Sequence, residues 1–557
     1  ENGFAQTKDM PYGVYTVHQT ASWEGTELIA DFDVYVSENG KTYAFLMNNR
    51  EFESYVKIVK VDSETGNTIP YEGAGFEIYD SNGEKISMSY RYPTPTTIDV
   101  FYTNSEGYLI TPEVLSYGEY TLVEVQAPYG YVLDSTPVSF TISAENAEEE
   151  NALTIVKVNK ENIAQKGRIS VQKTGDSFVS VAAASSAYTD ENGEMIVNPT
   201  IYTPVFANGN LSGAVFQVIA SEDIVTLDGT IRANAGDVVA ELTTDENGYA
   251  ETDLLYLGKY EIREITAPYG YVLNCESQFV ELVYAGQEVA VLDTVNTSFV
   301  NDYQGVEISL SKVMESDETF GISAENSAVN VRFGLFAAEE IAAADGSVIP
   351  ADGLIAEVSL NENMTAVIAE KIPFGKYYVQ EIATDEHYVL NGEKYLVDFE
   401  YMGQEVTTVN IDCGQFENEL KRGKIEGIKV NESDEPLENA LFGLFQTDCT
   451  EFVESNAIMT AISDETGYFA FDEVPYGEYI VKEIEAPTGY ILSEEGYLMT
   501  ISEDGEIVGI TAENKPITIE ISKQDVYGEE LSGAEMELIN SDEETVEKWT
   551  SDGTNHV

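Results

Sequence analysis

The stretch YGEYIVKEIEAPTGYIL, Tyr476 to Leu492, decides the fold, because three other stretches echo it. YGEYTLVEVQAPYGYVL begins at Tyr117, LGKYEIREITAPYGYVL at Leu257 and FGKYYVQEIATDEHYVL at Phe374. Each sets Gly-x-Tyr before a short alternating strand that carries a glutamate. Side chains alternate along a strand, so Tyr479, Val481 and Glu483 share one face. So do Tyr120, Leu122 and Glu124, then Tyr260, Ile262 and Glu264, then Tyr377, Val379 and Glu381. A carboxylate on the apolar face of a strand is costly unless it is paired or held neutral. Its return in register four times calls for a chemical reason.

Around these stretches the chain divides into repeats. Residues 1–49 read as the second half of one: ENGFAQTKDMPYGVYTVHQ matches ENGYAETDLLYLGKYEIRE (246–264), with Gln19 in the glutamate's place and KTYAFLMNN as a closing strand near Asn49. Complete repeats follow at 50–165, 166–303, 304–420 and 421–515, opening with YVKIVKVD, GRISVQK, VEISLSK and KIEGIK. Residues 516–557 open a sixth repeat that holds no glutamate strand. Period-two alternation, β-branched and aromatic residues, and turns such as SNGE, DENG and DETG dominate, and no long amphipathic helical period appears. The repeats differ in length mainly through loops, above all the Ser/Ala-rich insert at 176–210. Short strands between frequent turns in units of this size predict an all-β fold of tandem β-sandwiches strung end to end, with very short linkers near 50, 165, 304 and 420.

The chain has 557 residues, 100 acidic against 28 basic, and a net charge of −72. Nucleic acid and anionic membrane, both polyanions, are excluded as partners. At 43% hydrophobic and 11% aromatic residues the chain is too apolar for a disordered acidic tail. Cys275, Cys413 and Cys449 fall in different repeats, which argues against a disulfide framework. No apolar run is long enough to span a bilayer. The three histidines, His18, His387 and His556, also lie in different repeats and supply no zinc or His-based catalytic site. Acidic turns such as 62–67 and 245–253 could bind calcium weakly but lack the EF-hand ligand pattern, and no cofactor is otherwise implied.

Two further positions recur with the glutamate. Each opening strand ends in a lysine on its apolar face: Lys60, Lys173, Lys312, Lys429 and, in the last half-repeat, Lys523. Each closing strand ends in an asparagine: Asn162, Asn301, Asn418 and Asn514, with Asn159 a rival in the second repeat. A lysine in apolar surroundings loses its proton readily and becomes a nucleophile. A neighbouring carboxamide is an electrophile, and a buried carboxylic acid can polarise it and pass protons. Attack with loss of ammonia leaves a Lys–Asn isopeptide bond, with proximity in place of a cofactor and no turnover. A buried salt bridge beside an amide is the plainer alternative, but four copies of matching parity weigh against it.

These pieces together resemble the Cna-B, or SpaA-like, prealbumin-type domains of Gram-positive surface adhesins and pilins. They are the lysine strand, the [GN]A-x-F turn and strand (Ala74 to Phe76, Ala214 to Phe216, Ala440 to Phe442), the E-x-x-AP-x-GY-x-L box and the closing asparagine. The resemblance implies Ig-like or prealbumin-like sandwiches carrying autocatalytic bonds Lys60–Asn162 with Glu124, Lys173–Asn301 with Glu264, Lys312–Asn418 with Glu381, and Lys429–Asn514 with Glu483. The fourth repeat departs from the box with ATDEHYVL, and Gln19 cannot act as an acid toward Asn48 or Asn49. The expected role is a stalk segment of a secreted adhesin or fibre at the cell wall of a Gram-positive bacterium, partnered by other domains of the same long chain. The alternatives are modules that bind host surface protein or glycan through inserts such as 176–210, or a pilus shaft subunit. No YPK-type polymerisation lysine or LPXTG-type anchor is seen to support the shaft.

Overall fold

The computed structural model describes residues 3–91, 94–189, 195–324 and 327–557. Among these, the only helical elements are two 3₁₀ turns, Ser327–Asn330 and Glu454–Asn456; the rest is strand, turn and loop. The chain groups into two units. The first comprises residues 1–177, 207–304 and 401–407, and the second residues 178–206, 305–400 and 408–557.

Each complete repeat is built from two sheets. In the second repeat one sheet holds the opening strand Glu53–Asp62 between the closing strand Leu153–Asn162 and Tyr108–Ile110. The other holds the glutamate strand Gly118–Gln126 between Gly75–Tyr79 and Val138–Ile142. The fifth repeat places Arg422–Asn431 between Tyr468–Pro475 and Ile507–Asn514, and Gly477–Glu485 between Leu441–Gln446 and Gly496–Ile501. The third and fourth repeats pair the same way: Ile169–Ala184 with Val295–Asn301, Gly258–Thr266 with Val215–Ala220, Gly305–Met314 with Thr408–Asn418, and Gly375–Ala383 with Arg332–Ala337. Opening and closing strands run parallel, whereas the glutamate strands pair antiparallel on both sides. A parallel pair needs a long crossover, and here the whole of each sandwich is that crossover. The core lies between the sheets, as with Val56, Ile58, Phe76, Ile78 and Leu122 in the second repeat, all fully buried.

The Gly-x-Tyr motif has a local cause. Gly118, Gly258 and Gly477 take φ of +152°, +147° and +151°, a region that favours glycine. The tyrosine hydroxyl then donates to the carbonyl four residues earlier: Tyr120 to Ser116 (3.0 Å), Tyr260 to Tyr256 (2.7 Å), Tyr377 to Pro373 (2.5 Å) and Tyr479 to Pro475 (3.0 Å). This fixes where the glutamate strand starts, and so which face its glutamate occupies. The DENG and DETG turns serve the lysines. Gly248 and Gly467 accept the backbone N–H of Lys173 and Lys429 at 2.7 Å, and a Cβ at either glycine would sit 2.3 Å from the same lysine's carbonyl oxygen.

Three expectations are corrected. Residues 41–49 form no strand. A closing strand elsewhere lies parallel to its own opening strand, and the described residues 3–49 hold none, so that part of the repeat keeps only the hairpin of Gly13–Val17 with Phe32–Val36. For the same reason residues 517–523 form no opening strand; Ile519 is 60% exposed and only isolated bridges such as Ile521 to His556 form. The sixth repeat keeps the hairpin of Ser532–Ile539 with Thr545–Asp552. The insert is not a simple loop. Ile169–Ala184 continues far into it, Ile201–Asn210 leaves it, and residues 178–206 belong to the second unit, where Ile201 pairs in parallel with Leu354. Val181 N–H donates to Ser347 Oγ at 2.9 Å and Asp345 N–H to Val179 O at 3.1 Å in that unit. The tip of the insert, 190–194, lies outside the described residues.

Candidate crosslinking site

In each complete sandwich the structure brings the lysine, glutamate and asparagine together in the core. Lys60, Lys173, Lys312 and Lys429 are at most 3% exposed, as are Glu124, Glu264, Glu381 and Glu483, and Asn162, Asn301, Asn418 and Asn514. The glutamate is the hub. Its Oε1 lies 2.8, 3.1, 3.2 and 3.4 Å from the lysine Nζ in the second to fifth repeats. The asparagine Nδ2 donates to the same carboxylate: Asn162 to Glu124 at 2.7 Å, Asn301 to Glu264 at 3.0 Å, Asn418 to Glu381 at 2.9 Å and Asn514 to Glu483 at 2.9 Å. The other carboxylate oxygen is held by a backbone N–H ten residues on, from Asp134, Asn274, Asn391 and Ser493 at 2.8–3.0 Å. That bond explains the E-x-x-AP-x-GY-x-L box, whose turn carries the chain back to the glutamate. The box tyrosine also reaches the chain two or three residues beyond the lysine: Tyr131 donates to Asp62 Oδ2 (3.0 Å), Tyr271 to the Asp176 carbonyl (3.1 Å) and Tyr388 to the Glu315 carbonyl (2.9 Å).

The lysine meets the amide directly in three repeats. Lys173 Nζ donates to Asn301 Oδ1, and Lys312 and Lys429 donate to Asn418 and Asn514 Oδ1 at 2.5 Å. In the second repeat Asn162 is turned, with Nδ2 also donating to the Val132 carbonyl at 2.7 Å and Oδ1 buried without a partner. Asn159 is exposed on the other face of its strand, so Asn162 is the asparagine that shares Glu124 with Lys60. The A-x-F phenylalanine stands beside each glutamate on the neighbouring strand and under each ammonium, with Phe76, Phe216, Phe333 and Phe442 ring centres 5.7–5.9 Å from Nζ. The fourth repeat supplies this residue from NVRF, with Val331 where the others have alanine.

Burial pushes all four lysines below the usual range, against the pull of the paired glutamate, and Lys60 falls to about 8. Lys60 has a further cause. Lys160 lies beside it in register, where Phe299, Phe416 and Ala512 stand in the other repeats. Lys160 is buried and donates to Asp134 Oδ2 at 2.7 Å and the Thr136 carbonyl at 2.8 Å. A testable consequence arises in an Asn162→Ala variant, whose Lys60 stays free. The folded form binds this proton less tightly than the unfolded form, so the second sandwich should gain stability as pH rises from about 8 toward 10.5 and be least stable below 8. Denaturation midpoints read against an Asn162→Ala/Lys60→Met variant check this; an equal pH response in the two would contradict it.

The remaining candidates lie apart from these sites. Gln19 sits as the glutamates do, its Oε1 accepting the N–H of Ile29 at 2.9 Å, and it pairs with Asn49 through Asn49 Nδ2 at 3.0 Å. Asn48 is not the partner. Lys523 is half-buried and donates to the Gln524 carbonyl at 3.3 Å. In the acidic turn at 62–67, Asp62 and Glu64 are engaged by Arg232, each at 3.0 Å, and Glu64 also by Lys166 at 2.6 Å. Among the described residues no group of three His, Cys, Asp or Glu side chains is placed to hold a metal ion. No helix there is long and apolar enough to cross a membrane.

Tandem β-sandwiches with parallel first and last strands and a buried Lys–Glu–Asn trio define a class of prealbumin-like domain chains. The chain belongs to the SpaA prealbumin-like fold domain family, whose model matches residues 54–157, 205–297 and 423–516, together just over half of its length. No curated protein matches it. Among solved structures it is similar to the Bacillus anthracis TIE protein (20% identity, 92% of this chain and 76% of that one covered, TM-score 0.45). It is also similar to BcpA, the major pilin subunit of Bacillus cereus (17% identity, 63% and 100% covered, TM-score 0.27).

Proposed function

We propose that the chain is a structural stalk segment of a surface adhesin or fibre on a Gram-positive bacterium, held outside the cell and stiffened by four intramolecular Lys–Asn bonds. The observation that carries this reading is the placement of each trio at the far end of the parallel pair formed by the first and last strands. In the reaction the lysine Nζ adds to the asparagine Cγ, the Cγ–Nδ2 bond breaks, and ammonia leaves. The glutamate touches both nitrogens, so it can take the proton from the attacking amine and deliver it to the departing one. Tension entering along the first strand then crosses at the lysine to the asparagine and leaves by the last strand, bypassing the sandwich between them. The residues joined in the third, fourth and fifth repeats are 128, 106 and 85 apart, and closing loops of this size is worth about 4–5 kcal/mol in the chain-entropy account used for disulfides. Lys523 carries no bond within this chain. Mapping tryptic peptides for branched Lys–Asn pairs tests the assignment residue by residue. Branched peptides joining 60 to 162, 173 to 301, 312 to 418 and 429 to 514 support it, and linear peptides with free side chains at those positions oppose it.

A further inference from the structure

A second recurring contact lies outside the four trios, and its residues form a matched set. Gln165, fully buried, follows the closing strand of the second repeat. Its Nε2 donates to the carbonyls of Gly286 (3.0 Å) and Val289 (2.6 Å), and its Oε1 accepts the N–H of Ala285 (2.9 Å), so its whole amide is spent on the loop YAGQEV of the third repeat. That loop answers with Gln287, whose Oε1 accepts the N–H of Ala127 (2.8 Å) and whose carbonyl accepts the N–H of Leu133 (2.9 Å). Ala127 and Leu133 begin and end the APYGYVL turn, and the Tyr129 and Tyr284 rings lie 4.6 Å apart beside it. Within the same unit the arrangement recurs with Gln304 and the loop YMGQEV. Gln304 bonds to Gly403, Val406 and Met402 at 2.7–3.0 Å, Gln404 takes the N–H groups of Ala267 (2.8 Å) and Leu273 (2.9 Å), and Tyr269 lies 4.8 Å from Tyr401.

At the junction of the fourth and fifth repeats both halves of the set are missing. The fourth repeat has ATDEHYVL in place of APYGYVL and Lys421 in place of the glutamine, and the fifth repeat has EDGEIV where the loop would be. Leu390, the counterpart of Leu133, is 50% exposed. The junction there is built instead on Arg422, which reaches Glu315 at 2.8 Å and Asp317 at 3.2 Å.

We propose that the APYGYVL turn with its following glutamine is a receptor for the Y-x-G-Q-E-V loop of the next repeat, forming a latch that joins only repeats carrying both halves. The latch is independent of the Lys–Asn bonds. A buried amide with all three of its hydrogen bonds in one loop gives the latch its selectivity, because a follower without that loop leaves the glutamine unpaired.

Amide hydrogen exchange on the full chain tests this. The Leu133 N–H donates to a backbone carbonyl that neither a Gln165→Ala nor a Gln287→Ala substitution removes. If the latch opens as one unit, each substitution should speed exchange at Leu133 at least about tenfold, while Leu273 and the core strands stay as in the parent. The Gln165→Ala/Gln287→Ala chain should be little faster than either single variant, because both remove the same latch. Gln287 lies on a loop, so its substitution reads out even if Gln165→Ala disturbs folding. Unchanged exchange at Leu133, or additive effects in the double variant, would overturn the proposal.

Discussion

Replacing Glu483 by alanine is expected to leave the fifth sandwich without its crosslink while the other three keep theirs. Among the described residues Glu483 is the only group placed against both reacting nitrogens there, 3.4 Å from Lys429 Nζ and 2.9 Å from Asn514 Nδ2. Without it the lysine has no proton acceptor and the departing amine no donor. The denatured variant should be heavier by one ammonia than the parent corrected for the substitution, and residues between Lys429 and Asn514 should become open to protease. Two costs combine: the lost loop constraint, about 4–5 kcal/mol, and an unpaired buried lysine, about 3–5 kcal/mol. Glu483→Gln separates chemistry from packing. Gln19 shows that glutamine can hold the corresponding backbone N–H and asparagine of its own repeat, those of Ile29 and Asn49, so this variant should stay folded yet lack the bond. A crosslinked Glu483→Gln chain would remove the glutamate from the mechanism.

Pulled from its two ends, the parent chain is expected to show no stepwise extension from any of the four complete sandwiches. With the bond at the end of the parallel strand pair, the residues between lysine and asparagine never bear load. A Lys429→Ala variant should release the stretch between that position and Asn514, which lie 85 apart in sequence, in one event. At about 3.3–3.6 Å per extended residue this adds roughly 280–300 Å, less the folded separation. Steps of that size in the parent would mean that the sandwiches are held by noncovalent contacts alone.

The parts of this architecture that were readable in the sequence are those fixed by strand parity. A lysine, a glutamate and an asparagine on apolar faces announce themselves by alternation, and Gly-x-Tyr sets the register of the glutamate in all four sandwiches. What alternation does not carry was missed. Lys160 sits two residues before Asn162 and so shares its face, yet which strand lies beside it is a matter of pairing, and only pairing places it against Lys60. Val331 and Phe333 do the work of the A-x-F motif without its alanine. The strands expected at 41–49 and 517–523 have the right pattern but no parallel partner within their partial repeats, and pattern without a partner does not make a sheet. The glutamine loops lie outside the strands, so the match between YAGQEV and YMGQEV meant nothing until Gln165 and Gln304 were seen to close on them.

The central claim is that the four buried trios are covalent bonds, and the intact mass of the denatured parent chain tests it most directly. Each bond expels one ammonia, so the chain should weigh four ammonias less than its sequence requires. A mass equal to the uncorrected sequence would contradict the account and leave Lys60, Lys173, Lys312 and Lys429 as members of buried ion pairs.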